Sequence, residues 1–157
     1  MSYIAGMLLT RTRTSTEGPE FALGAIGMTH DGKKYKYVQY DTASGAVAAV
    51  AGNVAYYYAP GGASAGSFTK VTSDLSDSAG LGAGVLQAVI PDEGYGWIQV
   101  KGPATLTPAL TAGADGNALT VVGATDGTLD VSALVTDAIV AYAVDASAKI
   151  ILCDFPE

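Results

Sequence analysis

Asp92-Glu93-Gly94-Tyr95-Gly96-Trp97-Ile98-Gln99-Val100-Lys101-Gly102 contains the only tryptophan of a 157-residue chain. It reads as an alternating strand entered from a turn and stopped by Gly102-Pro103. The run before it, Val85 to Ile90, is apolar and rich in β-formers. Pro91 to Gly94 is therefore expected to be the turn of a hairpin that pairs the two runs. A strand pair of this kind sets a fold class and carries no chemistry of its own.

Working outward, the same punctuation recurs. Asp31-Gly32 separates Ala25–His30 from Lys33–Tyr40, the strongest short-range hairpin signal in the chain. In the second of these strands Tyr35 and Tyr37 share one face, and Lys34, Lys36 and Val38 share the other. Asn53–Tyr58 ends in three tyrosines, followed by a loop of small residues from Ala59 to Ser67. Between Thr69 and Gly84 two readings stand: Asp74, Ser76, Asp77 and Ser78 cap a short helix, or they form a polar loop. Gly80-Leu81-Gly82-Ala83-Gly84 is expected to be a loop or bulge. Beyond the Trp97 strand, further short strands are expected at Thr105–Leu110, Ala118–Val122, Thr128–Val131, Ile139–Val144 and Lys149–Leu152, joined by linkers containing Gly or Asp. About ten short strands at near-regular spacing predict an all-β domain, a small β-barrel or β-sandwich, over residues 21–157. Residues 1–20 precede it as an extended arm. Their alternating Thr and Arg favour extended backbone, and Gly18-Pro19 breaks the chain.

Composition supports this class. Charged residues make up 15% of the chain, below the quarter usual for globular domains, while glycine contributes 20 residues. The net charge is −7. Residues 1–40 hold five basic groups against three acids, and residues 41–157 hold three against twelve. The acidic body argues against nucleic acid, whose phosphates need concentrated positive charge. No apolar stretch has the length of a membrane span, and Met1 to Leu9 lacks the basic start of a secretion signal. A soluble protein made in the cytoplasm is expected.

The residues offer little chemistry. His30, the only histidine, is expected at an exposed hairpin tip. Gly62-Ala63-Ser64-Ala65-Gly66 fits the Gly-x-Ser-x-Gly pattern in letters, but no strand and apolar helix flank Ser64 as a nucleophile elbow requires. Cys153, the single cysteine, excludes an intrachain disulfide and is expected to be buried among Ile150, Ile151 and Leu152. Asp115-Gly116-Asn117 and Asp126-Gly127 resemble fragments of calcium loops, but turn formation accounts for both. Asp92 and Glu93 are adjacent in sequence and need not converge in space. No cofactor, no metal and no enzymatic activity are expected. Tyr56, Tyr57 and Tyr58 invite a glycan platform, yet successive strand residues alternate faces, so packing is the simpler role.

Three stretches resemble the capsid decoration, or cement, proteins of tailed bacteriophages. They are Phe21-Ala22-Leu23-Gly24 through Asp31-Gly32-Lys33-Lys34-Tyr35-Lys36-Tyr37-Val38, then Gly94-Tyr95-Gly96-Trp97-Ile98-Gln99-Val100-Lys101-Gly102, and finally Ile139-Val140-Ala141-Tyr142-Ala143 with Lys149-Ile150-Ile151-Leu152. The resemblance implies a small β-barrel that sits on the exterior of the virion head, binds the major capsid protein and stabilises the DNA-filled shell, often as a homotrimer. The chain departs from the family's more regular members in its long arm and in the loop at residues 59–67. An extended arm can add a strand to a neighbour's sheet edge. Leu8, Leu9, Arg11 and Arg13 are therefore the expected capsid or subunit contacts, while Trp97, Tyr95 and Tyr57 are expected in packing or in an oligomer interface. A receptor- or glycan-binding module on the virion surface is the alternative reading.

Overall fold

The computed structural model describes residues 7–62 and 66–157. The described residues are nearly all β in their regular structure, with 36% of them in strands and 4% in helical turns. Ten strands follow in order: β1 (Ile26–Met28), β2 (Lys34–Tyr40), β3 (Val54–Tyr58), β4 (Lys70–Thr72), β5 (Ser78–Leu86), β6 (Tyr95–Thr105), β7 (Ala118–Thr120), β8 (Asp130–Val131), β9 (Ala141–Asp145) and β10 (Ile150–Asp154). Two 3-10 turns, Pro60–Gly62 and Leu75–Asp77, are the helical elements.

Five strands close into a barrel in the order β2-β4-β3-β5-β6, and β6 returns to pair with β2. All pairs are antiparallel except β2 with β4. Closure removes the open edges that would invite aggregation. Outside the barrel, β1 lies on β2, and β10, β9, β7 and β8 extend outward from β6. The predicted all-β, barrel-like class is what the structure shows.

The alternation along β2 and β6 sets the two cores. Val38, Tyr40, Ile98 and Val100 belong to a continuous apolar core that fills the barrel and runs beneath the outer strands to Leu119, Leu129, Ile151 and Phe155. On the opposite face, the paired Tyr37 and Trp97 join Tyr35 in a second, smaller cluster. At β1–β2 the chain turns through His30, Asp31 and Gly32, closed by Thr29 N–H to the Lys33 carbonyl at 3.0 Å. Gly32 holds φ at +85°, as a three-residue hairpin loop requires.

Several expectations need correction. The strand before the Trp97 turn stops at Leu86, not at Ile90, and only Val85 and Leu86 pair with β6. Ile90 turns inward and packs where a Cβ on Gly96 would stand, so its apolar character serves as a plug. The Trp97 strand does not end at Gly102-Pro103. With φ at +96°, Gly102 lets the strand bend, and it continues to Thr105 paired with β10. A bend is a place where proline is tolerated within a sheet. Of the loop or bulge expected around Gly80, Gly82 and Gly84, the structure shows an irregular, bulged strand: all three lie within β5. Its pairing with β3 shifts register twice, and a Cβ on Gly82 or Gly84 would meet the Phe155 ring or the Gln99 carbonyl. The strand expected at 105–110 contributes only Thr105, to the end of β6.

Candidate interaction surface

The acidic side chains do not gather into a site. Most act as fasteners for loop N–H groups that have no ladder partner, which is where short carboxylates are most useful. Asp77 accepts from Ser44 N–H (2.8 Å), from the Ser44 hydroxyl and from Gly61 N–H (2.7 Å). Asp74 accepts from Gly45 N–H and from both donors of Ser76, capping the Leu75–Asp77 turn. Asp126 takes Leu75 N–H, Asp115 takes Ala146 N–H, and Asp92 takes both donors of Thr42. Hydrogen bonds from Ser44, side chain before backbone, and from Gly61 hold the Asp77 carboxyl below the usual carboxylate range. Bonds from Ala148 N–H and Ser147 do the same for Asp145.

The one tight charge cluster among the described residues is also a tie. Lys70 reaches Asp41 at 2.7 Å and Glu93 at 2.8 Å, joining the ends of β2 and β4 to the loop before β6. Burial alone would raise the Asp41 pKa, but the Lys70 ammonium and the Ala43 N–H outweigh it and leave it lowered. Among the described residues, no group of three or more His, Cys, Asp and Glu side chains is arranged to hold a metal. No helix among them is long and apolar enough to cross a membrane. His30 stands exposed at its hairpin tip, and Ser64 lies outside the described residues. Cys153 is buried and unpaired, and burial raises its thiol pKa to about 12.

The sequence-predicted contact residues divide between the interior and the surface. Trp97 is 1% exposed, packed against Tyr37 and Phe21 with ring centroids 5.0 and 5.3 Å away. Tyr95 lies partly buried beside it. Tyr57 is also interior; its hydroxyl takes a hydrogen bond from Lys36 Nζ (2.9 Å) and donates to the Pro156 carbonyl (3.2 Å). These three residues pack within the chain itself. Tyr56 is buried as well, so the tyrosine triplet presents no aromatic platform.

The described part of the arm lies on its own body. Arg13 and Tyr95 exchange both backbone hydrogen bonds, at 3.0 and 2.8 Å, as an isolated antiparallel bridge. Met7 and Leu9 cover the Trp97 cluster, and Arg11 and Arg13 both reach Glu20. Leu9 and Arg13 thus face inward, whereas Leu8 and Arg11 remain on the solvent side.

Sequence reasoning did not pick out the outward face of the outer strands. Direct pairing puts Pro103, Leu152 and Tyr142 in one row across β6, β10 and β9, because residues opposite each other share a face. Val144 follows Tyr142 by two residues on the same side. Tyr142 is 45%, Leu152 44% and Val144 53% exposed, an unusual density of large apolar groups in water. A shallow cavity of about 410 Å³ opens beside the row, lined by Gly32, Lys101, Tyr142, Leu152 and Asp154. At the far edge, Ser132 N–H bonds to the Ala118 carbonyl and starts a tight turn. The Asp137 carboxylate holds that turn through Ala133 and Leu134 N–H, both at 2.9 Å. Its tip presents Leu134 and Val135, the latter fully exposed. The missed signal was the strict alternation Ala141-Tyr142-Ala143-Val144, in which the small residues point inward and the large ones outward.

No protein-family model, no curated protein and no solved structure matches this chain.

Proposed function

We propose that this chain is a structural protein of a tailed-phage virion, without a reaction of its own. It binds the outer surface of the head, cements neighbouring major capsid protein subunits and stabilises the DNA-filled shell. It is made in the host cytoplasm and attaches as a homo-oligomer, with a trimer as the favoured form. The observation that supports the reading is how the three resembling stretches are arranged. They supply β1 with β2, then β6, then β9 with β10, and these five strands are hydrogen-bonded neighbours in the order β1-β2-β6-β10-β9. The likeness therefore follows one continuous slab of sheet and is not scattered over unrelated turns.

The physics of cementing fits such a body. A stapling protein needs rigidity and several contacts, and linked copies convert weak individual contacts into strong attachment. The closed barrel supplies the rigidity. The test is sedimentation velocity of the purified chain, followed by cosedimentation with heads assembled without it. Saturable binding of an oligomer is expected, together with greater resistance of the decorated heads to heat. A monomer that leaves the heads unoccupied contradicts the reading.

A further inference from the structure

We infer that the seat of the arm, formed by Gly27, Gly94 and the Trp97 cluster, is where copies of this chain join, the arm of one copy lying in the seat of the next. The inference rests on the homo-oligomer of the proposed function and adds which surface makes it.

The seat is shaped for an extended segment. Gly94 leaves room for the Arg13 carbonyl, which a Cβ would approach to 2.6 Å, and Gly27 leaves room for the Met7 thioether. Tyr95 supplies both hydrogen bonds of the bridge to Arg13. Tyr35, Tyr37 and Trp97 form the apolar floor against which Met7 and Leu9 pack. Such a seat holds the same segment from its own chain or from a second copy, because the contacts are identical in both.

The connection between arm and body favours exchange. The chain folds back at residues 14–18, where Gly18 N–H bonds to the Thr14 carbonyl at 3.2 Å and Gly18 holds φ at +75°. The Glu17 carboxylate takes the Thr14 N–H at 2.8 Å and the Thr14 hydroxyl at 3.0 Å. Both Glu17 bonds are exposed, so water replaces them at little cost when the turn opens. Folding back also crowds two guanidinium groups onto one carboxylate. Arg11 reaches Glu20 at 3.1 Å, whereas the buried Arg13 Nε stands 3.9 Å from it and has no hydrogen-bond partner among the described residues. An unpaired buried donor is a standing cost of the folded-back arm. With the turn open the arm is no longer tethered beside Glu20, and Arg13 can close on that carboxylate. Copies held side by side on one shell supply the local concentration that exchange needs.

The test uses the full chain carrying Arg13→Cys and Tyr95→Cys, with Cys153→Ala to remove the native thiol. Hydrogen-bonded antiparallel partners have Cα atoms about 5.5 Å apart, within the reach of a disulfide. After oxidation and denaturation, exchanged arms leave chains linked to one another, a covalent trimer where the oligomer is a trimer, and reductant returns single chains. Single chains carrying only an internal disulfide overturn the inference. Deleting Thr14–Gly18 gives a second reading, because the arm then lacks the turn that returns it to its own seat. Exchange predicts that this variant keeps the wild-type oligomer and an unshifted Trp97 fluorescence; a red-shifted spectrum overturns it. An oligomer that binds undecorated heads but links only within chains overturns the exchange and leaves the proposed function in place. A wild-type monomer that leaves the heads unoccupied overturns both.

Discussion

In the barrel, β2, β5 and β6 run for seven, nine and eleven residues, and the sheet closes on itself around large interior side chains. In the outer sheet, β7 and β8 run for three and two residues, and β9 and β10 for five each. The barrel strands bury their aromatic residues on both faces: Tyr40 and Tyr56 lie in the interior core, and Tyr37 and Trp97 lie on the outer face beneath the arm. The outer sheet places alanines inward on β9 and sets Tyr142 and Val144 in water. The same β-alternation thus makes a self-sufficient body in one region and a displayed surface in the other. Exposed apolar groups cost little stability where they stand on short strands braced by a neighbouring core, and large side chains can face water there without weakening the body.

The largest effect that would break this contrast is in the barrel. Trp97→Ala is expected to destabilise the chain by about 3–5 kcal/mol, the usual cost of emptying a large aromatic site, read from urea unfolding. A cost near zero would mean that the arm-side cluster is not a core. Deleting residues 1–13 uncovers the same cluster by removing Met7, Leu9 and the Arg13–Tyr95 bridge. We expect a loss of about 3 kcal/mol from the uncovered side chains, with Trp97 fluorescence shifting to the red; an unchanged spectrum would show that the arm does not cover Trp97 in solution.

Asp77→Asn sharpens the role of the carboxylate fasteners. It weakens the bonds to Ser44 and Gly61 and is expected to lower the midpoint of thermal unfolding. The pH dependence follows from the same group with Asp41 and Asp145. Their folded pKa values lie below the unfolded ones, so the unfolded chain binds more protons in acid. Their stabilisation is fully present above the unfolded carboxylate range near pH 4 and is lost as pH falls through the lower folded values. Cys153 works in the opposite direction. Its raised pKa means that stability is lost as pH climbs past the unfolded thiol value of roughly 8.5. A melting temperature that is flat between pH 2 and 5 would remove the fasteners from the account. The smallest effect is expected at the displayed turn: Leu134→Ser with Val135→Ser should change stability by no more than about 0.5 kcal/mol, checked in the same melts.

Much of the barrel was legible in the sequence. Asp31-Gly32, the Tyr35/Tyr37 alternation and the Trp97 strand all report local rules, and the structure keeps them. What failed was local grammar overruled by distant packing. Ile90 reads as a strand residue until Gly96, six residues on, makes room for it as a plug. Gly102-Pro103 reads as a stop until β10, arriving from nearly fifty residues later, offers a new partner. Gly82 and Gly84 read as loop or bulge, and a single sequence does not show that Phe155 and Gln99 need the space that makes the bulged strand the outcome. The candidate surface was less legible. The conspicuous aromatic residues drew attention to Tyr57 and Trp97, which are interior, while the exposed row needed the β6–β10–β9 register to bring Pro103, Leu152 and Tyr142 together.

Amide hydrogen exchange of the free chain tests the division between barrel and outer sheet most directly. The account predicts the slowest exchange in β2, β3 and β6 and faster opening in β7 and β8. Uniform exchange across the two regions, or slower exchange in β7 and β8 than in β6, would contradict it.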